Sequence, residues 1–169
     1  LIDAHVHLSD DTEADLCQSL ALGVTTDLDM WNGGARFERI KALRAADAPD
    51  VADVRSAGFG ATAPGGHPSQ MGGGPFPTIS DSASAQTFVD ARIAEGSDYL
   101  KLVYDDLSSL GRKQPMLDKR TLKALVDDLH DRVQHVVAVA GAGADHEGDV
   151  RLGRDRVRGL DVHGELAAG

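Results

Sequence analysis

Two histidines one residue apart, His5 and His7, close the run Leu1-Ile2-Asp3-Ala4-His5-Val6-His7. Side chains at i and i+2 of a strand leave from the same face, so this spacing aims both imidazoles at one point. Neutral imidazole is the commonest metal ligand and suits Zn, Fe and Ni alike. The chemistry on offer is the grip of a divalent cation at the C-terminal end of a strand, where α/β barrels keep their reactive groups. A second candidate, Lys101, stands in the apolar run Tyr99-Leu100-Lys101-Leu102-Val103. An ammonium on a buried strand is costly and tends to lose its proton. The alternative is an ammonium that snorkels to water from a strand end.

The elements that must position these residues alternate between strand and helix. Residues 1–7 read as a buried strand. Residues 12–22 read as a helix with Leu16, Leu20 and Leu22 as its apolar positions, Asp10 or Asp11 as N-cap, and Gly23 as its stop. Val24–Asp29 is a strand, Arg36–Ala46 a helix with Phe37, Ile40 and Leu43 on one face, and Val51–Phe59 a strand. A loop from Gly60 to Ile79 follows, with six glycines and four prolines, and loops of that length in a compact domain are usually functional or disordered. Asp81–Glu95 is a helix, Tyr99–Val103 a fourth strand, Asp118–Arg132 a helix and Val133–Ala140 a fifth strand. Such alternation implies right-handed βαβ units and a parallel sheet. The expected fold is α/β, a partial (β/α)8 barrel of about five βα units over residues 1–140. Residues 141–169 lose all period and read as an irregular tail, disordered or frame-shifted.

Composition narrows the function classes. The chain has 169 residues and a formal net charge of −10, which disfavours nucleic acid as a partner because phosphate backbones need a basic face. No run approaches the ~20 apolar residues of a membrane helix. A small-molecule substrate is the expected partner. The single Cys17 rules out an intrachain disulfide framework and leaves the compartment open, with the cytoplasm as the expectation. Cys17 is read as packing on the apolar side of the first helix. No G-x-S-x-G elbow is present, so a serine hydrolase is disfavoured. Asp29 reads as the N-cap of the second helix in preference to a contact behind the site, Asp105 and Asp106 as solvated turn carboxylates in preference to lining its mouth, and His130 and His135 as structural.

The segments "LIDAHVHL", "ALGVTTDLDM", "GFGATAPGGHPSQMG" and "GSDYLKLVYDD" together resemble the metal-dependent amidohydrolase superfamily, most closely its imidazolonepropionase-like and prolidase-like branch. The resemblance covers residues 1–140. It implies that His5 and His7 bind the more buried of one or two divalent ions, Zn being the expected metal. It implies that Lys101 reacts with CO2 to give a carbamate bridging two metals. It implies that the Gly65-Gly66-His67 segment overhangs the site, where His67 either contacts substrate or is a solvated loop histidine. The implied activity is hydrolysis of an amide, cyclic amide or peptide-like C–N bond.

The sequence also departs from the pattern. Where relatives carry a fifth-strand histidine, Val136-Val137-Ala138-Val139-Ala140 places Val139. The sixth-strand histidine and the eighth-strand aspartate, the general base, have no counterpart. The chain begins at Leu1, so the true N-terminus is expected to be missing. The break at Val139 suggests a truncation or frame shift, which translation of the other two frames would test. Two further readings follow: a non-catalytic fragment or binding module, which the missing ligands favour for this chain, and a His-x-His metallo-phosphoesterase or TatD-like nuclease, which would not call for Lys101.

Overall fold

The computed structural model describes residues 1–72, 74–130 and 135–140. The expected tail from 141 onward lies outside the described residues. Five strands alternate with four helices: β1 (Ile2–Val6), α1 (Thr12–Ala21), β2 (Thr26–Asp29), α2 (Gly34–Ala46), β3 (Asp53–Ser56), α3 (Ala85–Glu95), β4 (Tyr99–Tyr104), α4 (Lys119–His130) and β5 (His135–Ala140). β1, β2 and β3 pair in parallel in that order, as do β4 and β5. The two sheets meet where the chain beyond β3 bridges β4. Ala61 N–H donates to the Lys101 carbonyl at 2.8 Å, and Val103 N–H donates to the Ala61 carbonyl at 2.9 Å. The arrangement is an α/β arc of parallel strands with helices outside, the partial barrel that the alternation implies.

β3 is shorter than the apolar run 51–59. After Ser56 the backbone leaves the β2 register and turns at Gly58, whose φ is +62°. A Cβ there would sit 2.7 Å from Ser97 Oγ, so the bend needs a residue without a side chain.

The main core lies under β4. Leu100 and Leu102 pack with Phe88 and Val89 of α3 and with Leu122, Leu125, Val126 and Leu129 of α4. The α4 spacing of i, i+3, i+4 and i+7 is one helical stripe facing the sheet. A second cluster joins Leu8, Leu16, Ile40, Ala52 and Val54, holding α1 and α2 against β1 and β3. A small third one, Leu28, Met30, Ala57 and Tyr99, lines the inner side of β2, β3 and β4.

Three expectations are corrected. β1 is not buried: Leu1 is 82% and Ile2 64% exposed, because β1 pairs with β2 alone among the described strands. Cys17 is exposed rather than packed. The buried residues of α1 are Thr12 and Leu16, and Cys17 stands about 100° around the helix from Leu16. Leu22 is also exposed. Asp29 is not a helix cap; the residue before α2 is Gly33, in extended backbone and with no side-chain cap. No helix among the described residues is long and apolar enough to cross a membrane.

Candidate metal centre

β1 carries His5 and ends at Val6, and His7 follows it directly. Their rings lie side by side, centroids 5.3 Å apart and planes inclined at 53°. Val6, between them, turns the other way and packs against the α1–α2 core. β4 is buried along its whole length and carries Lys101 with only 6% of its surface exposed. No described carboxylate forms an ion pair with that amine.

Electrostatics ties the two strands together. The Lys101 charge is felt at both imidazoles. Burial lowers the His5 pKa, and the Lys101 charge adds to this against an opposing pull from Asp3. His7 is pushed down to about 4, by burial first and then by the charges of Lys101, His5 and His67. Lys101 itself falls to about 8 because burial penalises its ammonium, with Asp29 opposing. Both rings are therefore neutral at pH 7, the state in which imidazole nitrogen binds metal. A pKa near 8 leaves about a tenth of Lys101 as free amine at pH 7.

Asp29 fixes the end of the His-x-His strand. It is fully buried and accepts from the Leu8 N–H (3.2 Å), Asn32 Nδ2 (2.6 Å) and Ser56 Oγ (2.6 Å). These bonds join the residue after His7 to β2 and β3. Tyr99 Oη donates to the Asp29 carbonyl at 2.7 Å, adding β4 to the same node. Behind it, Arg36 Nη1 donates to Asn32 Oδ1 at 3.0 Å and Arg36 Nε to Asp10 at 2.9 Å. Burial pushes the Asp29 pKa up, while the donors from Ser56, Leu8 and Asn32 and the Lys101 charge pull it down.

His67 is partly buried, and its charge reaches His7. Its Nδ1 lies 2.6 Å from Gln70 Nε2, and its carbonyl accepts from Thr62 Oγ1 at 2.7 Å. Asp105 and Asp106 are the turn carboxylates expected, accepting from the backbone N–H groups of Leu107 and Ser108. His130 ends α4, and His135 opens β5 opposite Tyr99, at the start of the β4 strand.

As a donor set this suits a metal only in part. Two imidazoles and a buried amine share one field. Among the described residues, no group of three or more His, Cys, Asp or Glu converges, and a closed tetrahedral site needs four donors. Sequence reasoning missed Asn32 and Trp31. Asn32 stands three residues after Asp29, and Trp31 stands two residues beyond the end of β2 with its ring 5.9 Å from Lys101 Nζ. A lone tryptophan at the C-terminal end of a strand was the available signal.

No protein-family model matches the sequence, and no curated protein matches it. Solved structures do match in fold. An amidohydrolase superposes with a TM-score of 0.63 at 18% identity, over 83% of this chain and 42% of that one. A Xaa-Pro dipeptidase with methionine bound in its active site gives the same values. A putative prolidase from Bifidobacterium longum gives 0.63 at 23% identity, over 83% of this chain and 34% of that one. At these identities the likeness is one of fold. The chain spans about two fifths or less of the length of these structures.

Proposed function

We propose that this chain carries the first- and fourth-strand part of a metal-dependent amidohydrolase centre, acting on the amide, cyclic amide or peptide-like C–N bond of a small molecule. The observation that carries the reading is Lys101: an amine without an ionic partner among the described residues, buried in β4, whose charge reaches both imidazoles of β1. The fold neighbours named amidohydrolase, dipeptidase and prolidase support it.

His5 and His7 would hold a divalent ion, Zn being the expected one, through neutral ring nitrogens. When bound, such an ion polarises a carbonyl and makes a water acidic enough to attack near pH 7. The chain's residues prepare that chemistry. The neutral Lys101 amine attacks the carbon of CO2, an N–C bond forms, and the amine proton leaves to solvent. The carbamate oxygens then offer a hard anionic donor in place of an unpaired buried cation. Asp29 holds the Leu8 amide and with it the direction of His7. His67, 2.6 Å from Gln70, is the candidate contact to substrate. A base that returns a proton to the leaving nitrogen is not assigned among the described residues, so we expect metal binding without amide turnover from this chain alone.

The test is calorimetric titration of the chain with Zn, with and without bicarbonate. His5→Ala or His7→Ala should each weaken binding by about tenfold to a hundredfold. Lys101→Ala should weaken it only when bicarbonate is present. Equal affinity in the wild type and the His5→Ala/His7→Ala double variant would overturn the reading. Metal-dependent hydrolysis of N-acyl or dipeptide substrates, lost in Lys101→Ala, would overturn the expectation of no turnover.

A further inference from the structure

Trp31, Phe59 and Phe76 come from three separate parts of the chain: the end of β2, the extension of β3 and the glycine-rich segment. Their rings meet edge to face: Trp31 lies 5.1 Å from Phe76 at 89° and 5.9 Å from Phe59 at 71°. Such geometry is the favoured packing of aromatic pairs. Yet none of the three belongs to any of the buried clusters, and each remains partly exposed. The group is apolar surface left open beside the candidate centre, since Lys101 Nζ lies 5.9 Å from the Trp31 ring centroid.

The backbone is shaped to seat these rings. A Cβ at Gly60 would come within 3.0 Å of Trp31 Cζ3 and 3.2 Å of the Lys101 carbonyl oxygen. A Cβ at Gly33 would fall 2.0 Å from Phe59 Cε2. Two bare positions on different segments thus let the indole and its neighbour press against the main chain. One backs onto the same peptide that joins Lys101 to the sheet.

Resting on the metal-centre reading above, we propose that Trp31, backed by Phe59 and Phe76, forms an apolar subsite next to that centre. It takes the hydrophobic side chain or ring that flanks the scissile amide. The substrate class is then amides and peptide-like compounds of bulky apolar acids, in preference to those of glycine. The distance supports this: the indole lies 5.9 Å from Lys101 Nζ, about one side-chain length from a group bound at that amine. If the rings only pinned the glycine-rich segment, a ligand would leave the indole undisturbed.

Trp31 is the chain's one tryptophan, so its emission reports on this surface alone. The experiment titrates the Zn-loaded 169-residue chain, in bicarbonate, with N-acetyl-leucinamide and with N-acetylglycinamide, following Trp31 emission and, separately, Zn affinity by calorimetry. Leucinamide should give a saturable change and bind at least about fivefold tighter than glycinamide, the ratio expected for half-burying a leucine side chain. Phe76→Ala should remove most of that preference while Zn affinity stays unchanged, and Phe76→Leu, which keeps the packing, should retain it. Equal response to both amides, or a preference unaltered in Phe76→Ala, overturns the subsite. Loss of Zn binding with the leucinamide preference intact overturns the metal centre and leaves the subsite standing.

Discussion

β1 and β4 supply the two halves of the candidate centre from opposite surroundings. β4 is buried at all six positions, between α3 and α4 outside and the small inner cluster. β1 is exposed at four of its five positions and is held by one neighbouring strand, by Val6 and Leu8, and by the Asp29 node. The chemistry each half offers follows from that difference. Burial lowers the Lys101 pKa to about 8 by taxing its ammonium, whereas the imidazoles feel burial and the Lys101 charge together. Desolvation acts on both halves of the site, and the β1 half is positioned in addition by the hydrogen bond from the Leu8 amide to Asp29.

The sharpest break of that comparison is in stability. Leu125→Ala, removing a fully buried side chain under β4, should cost about 3–4 kcal/mol, while Ile2→Ala on exposed β1 should change stability by less than about 0.5 kcal/mol. Urea denaturation of both variants measures it, and equal losses would mean that β1 is as buried in solution as β4.

Next is Asp29→Ala, which leaves the Leu8 amide, Asn32 and Ser56 without their acceptor. A loss of about 2–3 kcal/mol is expected. Asp29→Asn, keeping one acceptor oxygen, should lose less. Amide hydrogen exchange at Leu8 should quicken in both; an unchanged Leu8 rate would remove Asp29 as the anchor of β1.

A smaller effect of the opposite sign is expected at Lys101. In metal-free protein at pH 7, Lys101→Met replaces a buried cation that has no ionic partner among the described residues by a hydrophobe of similar length and should stabilise by about 1–2 kcal/mol. The lowered pKa means that the unfolded chain holds this proton more tightly between pH about 8 and 10.5. Wild-type stability therefore rises with pH across that window, and the rise should vanish in Lys101→Met. A destabilised variant would show that the amine is solvated.

The smallest effect is at His7. Its imidazole should titrate near pH 4 rather than 6.5, observable by NMR. Because only the neutral ring ligates, Zn affinity should persist down to about pH 5 and fall as pH drops through the pKa. The same shift makes the folded state lose stability as pH falls from 6.5 towards 4, by less than about 1 kcal/mol given the exposure of the ring. A midpoint near 6.5 would place β1 fully in solvent and weaken its coupling to Lys101.

Much of the scaffold was legible because it rests on local periodicity. The alternation of strands with helices predicts the parallel order, with a helix over Asp118–Arg132 where α4 lies. The His-x-His spacing and the lysine in an apolar run mark β1 and β4 as carriers of chemistry. What failed in the sequence reading depended on neighbours far along the chain. An apolar run such as Leu1–Val6 does not state how many sides will be covered. Cys17 follows Leu16 in sequence yet faces solvent.

The sequence by itself determined the element order, the parallel α/β class and the identity of the paired imidazoles, since these depend on propensity and on periods of 2.0 and 3.6 residues. Only the tertiary structure decided that the carboxylate of Asp29 leaves its expected helix cap to tie three strands together. It alone decided that Trp31, Phe59 and Phe76 meet beside Lys101, and that Lys101 is buried deeply enough for its proton to loosen. The physical reason is common to all three. Hydrogen-bond acceptance, ring stacking and desolvation act between atoms a few ångströms apart, and chain folding brings those atoms together from positions 17 to 72 residues distant in the sequence.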